Sequence, residues 1–232
     1  MQGCVCSPGF DRSSSFLFLA DCLNVLDDLP DESVDCILTD PPYGVNYKSL
    51  SRIMPKTTIV NDGPEAYCLL DKAMAIAVQK LKFNSHVYIF TDWHAYEPMA
   101  EVVKKYFNLK NVLVWVKNNR TRGDLKGNYG YQHEMVLYAH KGRRHLLGKR
   151  DGNVLHFDKV YSNRMRHPTE KPVKLLEYLI KKSTSPGEVV LDMFMGSGST
   201  CVAAKHLKRN YVGIEIDEVW YKVAKERLAE SV

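Results

Sequence analysis

The run Val189-Val190-Leu191-Asp192-Met193-Phe194-Met195-Gly196-Ser197-Gly198-Ser199-Thr200 constrains this chain more than any other feature. Three apolar residues end on an acid, a Gly-x-Gly turn follows, and a helical stretch to Leu207 begins at once. That is a buried strand feeding a helix. Without side chains at Gly196 and Gly198 the backbone can approach a nucleotide-like ligand, and the helix start offers unpaired NH groups. The next strand, Tyr211 to Ile214, ends on Glu215, where a carboxylate can accept hydrogen bonds from both hydroxyls of a ribose. The third glycine of the pyrophosphate-binding Gly-x-Gly-x-x-Gly pattern is missing, which favours an adenosyl ligand without a pyrophosphate.

The rest of the chain repeats the same alternation. Strands are expected at Phe16 to Leu19, Val34 to Leu38, Val87 to Phe90, Val112 to Val116 and Val189 to Leu191, with further candidates at Met135 to Ala139 and Val154 to Phe157. Helices are expected after Asp21, across Ala66 to Leu81 behind Pro64, and at Pro98 to Phe107, Val173 to Lys182, Thr200 to Leu207 and Val219 to Leu228. Such alternation predicts a mostly parallel, twisted α/β sheet with helices on both faces. At 232 residues it makes one domain, from 16 to 232. Residues 1–15 are small, polar and aperiodic and are expected to form a poorly ordered leader. Residues 44–64 exceed an ordinary connection and are expected to be a mobile substrate loop carrying Lys48, Arg52 and Lys56.

Composition excludes several classes. Apolar residues at 45% and charged residues at 25% rule out a disordered or collagenous chain. No apolar run reaches the roughly 20 residues of a membrane span, and Phe16 to Ala20 lacks a basic leader, so the expected location is the cytoplasm. Cys4, Cys6, Cys22, Cys36, Cys68 and Cys201 contain no Cys-x-x-Cys to begin a zinc site, so reduced thiols and no metal are expected. The net charge of +5 suits a polyanionic partner.

A second motif, Asp40-Pro41-Pro42-Tyr43, directly follows an apolar strand and so lies at the sheet edge where open α/β folds bind ligands. Two prolines stiffen the backbone and remove NH donors, leaving the Asp40 carboxylate and the Pro41 carbonyl as a rigid pair of acceptors. The two hydrogens of an exocyclic amino group need two such acceptors, and Tyr43 supplies a flat face for stacking a base.

Asp40-Pro41-Pro42-Tyr43, the Phe194-x-Gly196-x-Gly198 turn and His167-Pro168-Thr169-Glu170-Lys171-Pro172 together resemble the DNA amino-methyltransferases that use S-adenosylmethionine. The likeness covers about 16 to 228. The amino-group motif comes first, a basic stretch next and the cofactor turn last, an order similar to the circularly permuted β group of that family. The resemblance implies a Rossmann-like methyltransferase fold with a small inserted target-recognition region at about 119–166. Asp40, Pro41, Pro42 and Tyr43 would be the catalytic residues. Phe194, Gly196, Ser197 and Gly198 would surround the methionine part of the cofactor with Asp192 and Asp40 nearby. Glu215 would hold the ribose, Asp21 the adenine with Cys22 beside it, and Thr169 and Lys171 the cofactor's carboxylate. The family usually carries Pro at Met193 and Thr at Ser199, and neither exchange removes a needed group.

Duplex DNA would be the substrate, with the target base flipped onto Tyr43 and Trp93 or Trp115 covering its other face. Asp rather than Ser in the first motif position resembles the adenine-N6 members. The alternatives are a cytosine-N4 methyltransferase and a non-catalytic nucleic-acid-binding protein on the same fold. Phosphate contacts are expected from Arg120, Arg122, Lys126, Arg143, Arg144, Lys149, Arg150, Arg164 and Arg166, with Asn128, Gln132 and Asn163 able to read adenine. A recognition region this short implies a short site or a second subunit. A homodimer and a cognate restriction enzyme are the further partners the resemblance allows.

Overall fold

The computed structural model describes residues 10–46, 59–120, 126–161, 165–167 and 169–231. Among these residues eight strands form one sheet: β1 (Phe16–Leu19), β2 (Val34–Thr39), β3 (Leu81–Thr91), β4 (Asn108–Val116), β5 (His133–Lys141), β6 (Val154–His156), β7 (Val189–Asp192) and β8 (Asn210–Glu215). Their spatial order is β1-β8-β7-β2-β3-β5-β4-β6. Every adjacent pair is parallel except those made by β5, which runs antiparallel to both β3 and β4.

Six helices cover the faces: α1 (Cys22–Asp28), α2 (Ala66–Lys80), α3 (Tyr96–Tyr106), α4 (Val173–Ser183), α5 (Ser199–His206) and α6 (Glu218–Glu230). The apolar stripe Ala66, Leu70, Ala73, Met74 and Ala77 presses α2 on one face beside α1 and α3, while Leu175, Leu176, Leu179 and Ile180 press α4 on the other beside α5. All six residues of β2 are buried, as a central strand covered on both sides requires. Asp21 caps α1 through the Leu23 NH and Asp217 caps α6 through the Val219 and Trp220 NH groups.

Most expected elements are present within a residue or two. The exceptions are β4, which starts at Asn108 rather than Val112, and β3, which starts at Leu81 rather than Val87 and spans 11 residues. Its first half, Lys82 to His86, is polar because Lys82 pairs with buried Asp35 and His86 bonds Ser183, so the apolar signature of a strand is absent there.

Residues 10–15 do not behave as a loose leader. Phe10 packs on the Phe16 ring at 5.4 Å, and Arg12 reaches Asp35 at 2.6 Å and the Ser33 carbonyl at 3.1 Å. Asp35 is 1% exposed and also accepts from the Val189 NH at 2.9 Å, so one carboxylate joins β2, β3, β7 and the amino-terminal segment. Among the described residues no helix is long and apolar enough to cross a membrane. Cys22, Cys36, Cys68 and Cys201 are free thiols, and Cys4 and Cys6 lie outside the described residues.

Asp35→Ala should lower unfolding free energy by about 3 kcal/mol, because the Val189 NH is left buried and unpaired while Arg12 and Lys82 return to solvent. Urea denaturation measures this; a loss under about 1 kcal/mol would show that the carboxylate is not a structural junction.

Candidate active site

The parallel strands all end at one sheet edge, and antiparallel β5 begins there. That edge therefore collects Asp21 and Cys22 after β1, Glu215 at the end of β8, Asp192 to Gly198 after β7, Asp40 to Tyr43 after β2, Trp93 after β3, Lys117 after β4 and Glu134 in β5. All of them but Gly198 line one cavity of about 650 Å³, closed on a further side by His167, Thr169, Glu170 and Lys171. Sequence-predicted residues of both the nucleoside half and the amino-group half thus share a wall.

The glycine turn takes the conformation its sequence demands. Gly196 and Gly198 have φ of +51° and +78°, and a Cβ at Gly198 would stand 2.9 Å from that of Ala224 on α6. Glu215 accepts from the Gly196 NH at 2.8 Å and the Asp217 NH at 2.8 Å, which fixes its carboxylate against the turn. Burial holds its pKa above the ordinary glutamate value, the mark of an acceptor kept away from water.

Arg227 of α6, only 9% exposed, fastens the turn from behind. Its guanidinium donates to the Ser197 carbonyl at 2.9 Å and the Ser197 and Ser199 hydroxyls at 2.8 and 3.0 Å, and it pairs with Glu170 at 2.9 Å. The turn and the segment around Lys171 are thereby one unit. Sequence reading passed over Arg227; its position three residues after buried Ala224 and next to Leu228, on the apolar stripe of α6, was the available signal.

His167 packs edge-on to Trp220 at 4.3 Å and accepts from the Thr169 NH on Nδ1, which leaves the proton on Nε2. Burial, aided by the Lys171 charge, pushes its pKa down to about 4, so it is neutral at pH 7. Cys22 is held as a thiol: burial and the neighbouring Asp21 push it up to about 12.

At the other end of the cavity Asp40 is surrounded. Tyr43 donates its hydroxyl to Asp40 Oδ1 at 2.7 Å, and Lys171 Nζ donates to Oδ2. Lys171 also stands 3.3 Å from Glu134, which pairs in turn with Lys117. Burial raises the Asp40 pKa, Lys171 opposes it and Glu134 adds to it, leaving the carboxyl above the ordinary aspartate value. Tyr43 therefore offers a hydroxyl as well as a ring face, and Lys171 meets Asp40. Glu134 and Lys117 were not foreseen.

Other expectations separate by position. Trp93 is 53% exposed at the cavity mouth with its ring 3.9 Å from His94 and 6.1 Å from Tyr131, whereas Trp115 is buried, donates to the Phe157 carbonyl at 2.8 Å and lines the same cavity from the core side. Arg120 and Lys126 flank the β4–β5 connection at the cavity edge of the sheet. Arg166 pairs with Glu230 at 2.7 Å. Arg143, Arg144, Lys149 and Arg150 are not brought there: they lie on the connection that leaves β5 at the opposite sheet edge, where Arg144 pairs with Glu188 at 2.8 Å. Because β5 runs backwards, the basic stretch is divided between two edges. Arg122, Asn163 and Arg164, like Lys48, Arg52 and Lys56, lie outside the described residues.

A doubly covered sheet with a glycine turn, a buried acid against it and an Asp-Pro-Pro-Tyr motif at one edge defines a Rossmann-like methyltransferase fold. Residues 34–226 match the N6/N4 DNA methylase family, and the chain belongs to it. It is a DNA methyltransferase that uses S-adenosylmethionine. YubD of Escherichia coli (strain K12) is 36% identical over 90% of this chain and 88% of its own length, and the Type II methyltransferase M2.DpnII of Streptococcus pneumoniae is 28% identical over 95% and 92%. The crystal structure of the M1.HpyAVI–SAM complex aligns with a TM-score of 0.72 at 27% identity, covering 91% of this chain and 98% of that one. The PvuII cytosine-N4-specific DNA methyltransferase aligns with the same TM-score at 16% identity, over 92% and 86%, which shows the shared fold alone.

Asp192 is 3% exposed, accepts from Thr39 at 2.8 Å, and is pushed up to about 6 by burial. An acid whose folded pKa exceeds its unfolded value costs stability as pH rises through that window, here about 3 kcal/mol between pH 4 and 6. Asp192→Asn keeps the acceptor and should remove this decline, raising stability at pH 8 by about 2 kcal/mol while weakening cofactor binding. A pH series of urea unfolding curves checks it; an unchanged decline would assign it to another group.

Proposed function

We propose that the protein methylates the N6 amino group of adenine in duplex DNA at a specific site. The observation that carries this reading is the placement of Asp40 and Tyr43 in the same cavity as Glu215 and the glycine turn, which lets an amino group and a methyl donor meet. The turn at Phe194, Gly196, Ser197 and Gly198 would hold the methionine part of the cofactor with Asp192 and Thr169 near it, Glu215 would hold the ribose, and Asp21 with Cys22 would border the adenine. These residues fit the group: glycines at positive φ give close backbone approach, and a buried carboxylate stands ready for hydroxyl donors.

When bound, S-adenosylmethionine supplies an activated methyl on a sulfonium leaving group. A base inside a duplex presents no lone pair toward such a donor, so the target base is flipped out and stacked on Tyr43. Asp40 and the Pro41 carbonyl take the two amino hydrogens and orient the nitrogen lone pair at the methyl carbon. Asp40 would accept the one proton that the nitrogen gives up on taking the methyl, the bonding pair staying with the leaving sulfur. Asp40, fixed by Tyr43 and Lys171, is already in place for the charge that develops.

Aspartate in the first motif position supports adenine over cytosine-N4, and the order of motifs along the chain supports the permuted β group. Intact Asp40, Pro41 and Tyr43 argue against a non-catalytic binding protein. The name Type II methyltransferase borne by several relatives supports a restriction partner. Unmethylated duplex DNA, RNA and protein, each incubated with methyl-labelled cofactor, should show labelled N6-methyladenine in the DNA; label in N4-methylcytosine would establish the alternative, and label in RNA or protein alone would exclude both.

DNA recognition is assigned to the cavity edge, with Arg120, Lys126 and Lys159 on phosphates and Trp93 on a base. Charge reversal at Arg120 and Lys159 should lower the log-log salt slope of DNA binding by about 0.9 each. Reversal at Lys149 and Arg150, at the far edge, should leave it unchanged. Equal effects from both pairs, read by fluorescence anisotropy across a salt series, would extend the footprint around the sheet.

A further inference from the structure

We infer that Lys171 is a positioning residue for Asp40, held to that task by Glu134, rather than a ligand of the cofactor's carboxylate. The inference rests on the reading of Asp40 as acceptor of the target amino group, and it goes beyond that reading in naming what sets the orientation and charge of Asp40.

Lys171 is 7% exposed, and its Nζ lies against Asp40 Oδ2 and 3.3 Å from Glu134 Oε2, with the ring centres of Phe90 and Tyr43 at 5.1 and 5.8 Å. Two carboxylates take two of its three N–H donors, and two aromatic faces pack beside it. To take a third carboxylate as its main partner it would have to give up a buried ion pair, which is strongly unfavourable. Lys117 then closes the chain on Glu134, so that Asp40, Lys171, Glu134 and Lys117 alternate in sign and sum to zero.

Both oxygens of Asp40 are engaged, one by Tyr43 and one by Lys171, which fixes the plane of the carboxylate. Each oxygen keeps lone-pair capacity for a substrate hydrogen. A lysine paired with Asp40 alone would be neutralised by it and would lose its partner when Asp40 takes a proton. Glu134 supplies a second anion, keeping Lys171 charged and in place whether Asp40 is ionised or protonated. Glu134 itself stays ionised: burial opposes its charge, but Lys171 and Lys117 outweigh it and hold its pKa below the ordinary glutamate value.

The titratable and charged groups facing Asp40 are Tyr43 on its own loop, Lys171 from the segment before α4, Glu134 from β5 and Asp192 from β7, with His167 and Lys117 one step behind. Glu134 pushes the Asp40 pKa up and Lys171 pulls it down, so removing each should move the acid limb of the reaction in opposite directions. A purely structural role predicts no such antisymmetry.

The test is single-turnover methyl transfer to duplex DNA between pH 5 and 9, with cofactor affinity by calorimetry, for the wild type, Glu134→Gln, Lys171→Met, Lys171→Arg and Asp40→Asn. Glu134→Gln should shift the acid limb to lower pH. Lys171→Met should shift it to higher pH and slow transfer by about 10- to 100-fold, with cofactor Kd within about threefold of wild type and partial recovery in Lys171→Arg. If Lys171→Met fails to fold, the shift in Glu134→Gln decides alone. Weakened cofactor binding in Lys171→Met with an unmoved acid limb would overturn the inference and restore Lys171 as a cofactor ligand. Asp40→Asn transferring at the wild-type rate would instead remove the amino-group reading beneath it, whereas an inactive Asp40→Asn beside unmoved limbs would fail the inference alone.

Discussion

Lys171 carries its ammonium into a place where water hardly reaches, and the site is arranged around that charge. It arrives on the segment before α4, meets Asp40 from the loop after β2 and Glu134 from β5, and rests between the rings of Tyr43 and Phe90. A buried cation of this kind is tolerable only with its anions in position, so three separately encoded pieces of chain must come to one geometry together. The same geometry sets the direction of the Asp40 carboxylate.

A second fastening works at the cofactor end. Arg227 joins the glycine turn to Glu170, the neighbour of Lys171 in sequence. The turn, the Lys171 segment and the Asp40 loop are therefore mechanically continuous. In physical terms the wall that would hold the methyl donor is tied to the wall that would hold the acceptor nitrogen, and an in-line displacement needs that relation fixed to within a fraction of an ångström. Asp192 lies between the two, buried with its pKa raised by desolvation, so the fold gives up stability there for a charge at the site.

Much of this was legible in the sequence, for reasons that differ by element. The strands that end on Asp21, Asp40, Asp192 and Glu215 are short apolar runs closed by an acid, and parallel topology brings such ends to one edge, so the nucleoside half and the amino-group half could be joined before any coordinates. Glu134 was hidden because β5 alone runs backwards, placing its acid at the start of a strand rather than its end. The same reversal misdirected the basic stretch: counting Arg and Lys between 119 and 166 gives charge but no direction, and Arg144 proved to be an ion-pair partner of Glu188 at the far edge. Residues 10–15 looked like leader because their anchor, Asp35, is an acid inside an apolar strand whose partners Arg12 and Lys82 are distant in sequence. Lys171 was read through its motif as a cofactor ligand, and only the packing of Asp40 and Glu134 around it gives it another task.

In the proposed function Asp40 acts on the acceptor nitrogen while the cofactor is held by other residues. Paired measurements on Asp40→Ala, cofactor Kd by calorimetry and single-turnover transfer to duplex DNA, separate these roles. The expected result is a transfer rate lower by at least about 100-fold with cofactor affinity largely retained. Transfer above about a tenth of the wild-type rate, or a loss of rate matched by an equal loss of cofactor affinity, would contradict it.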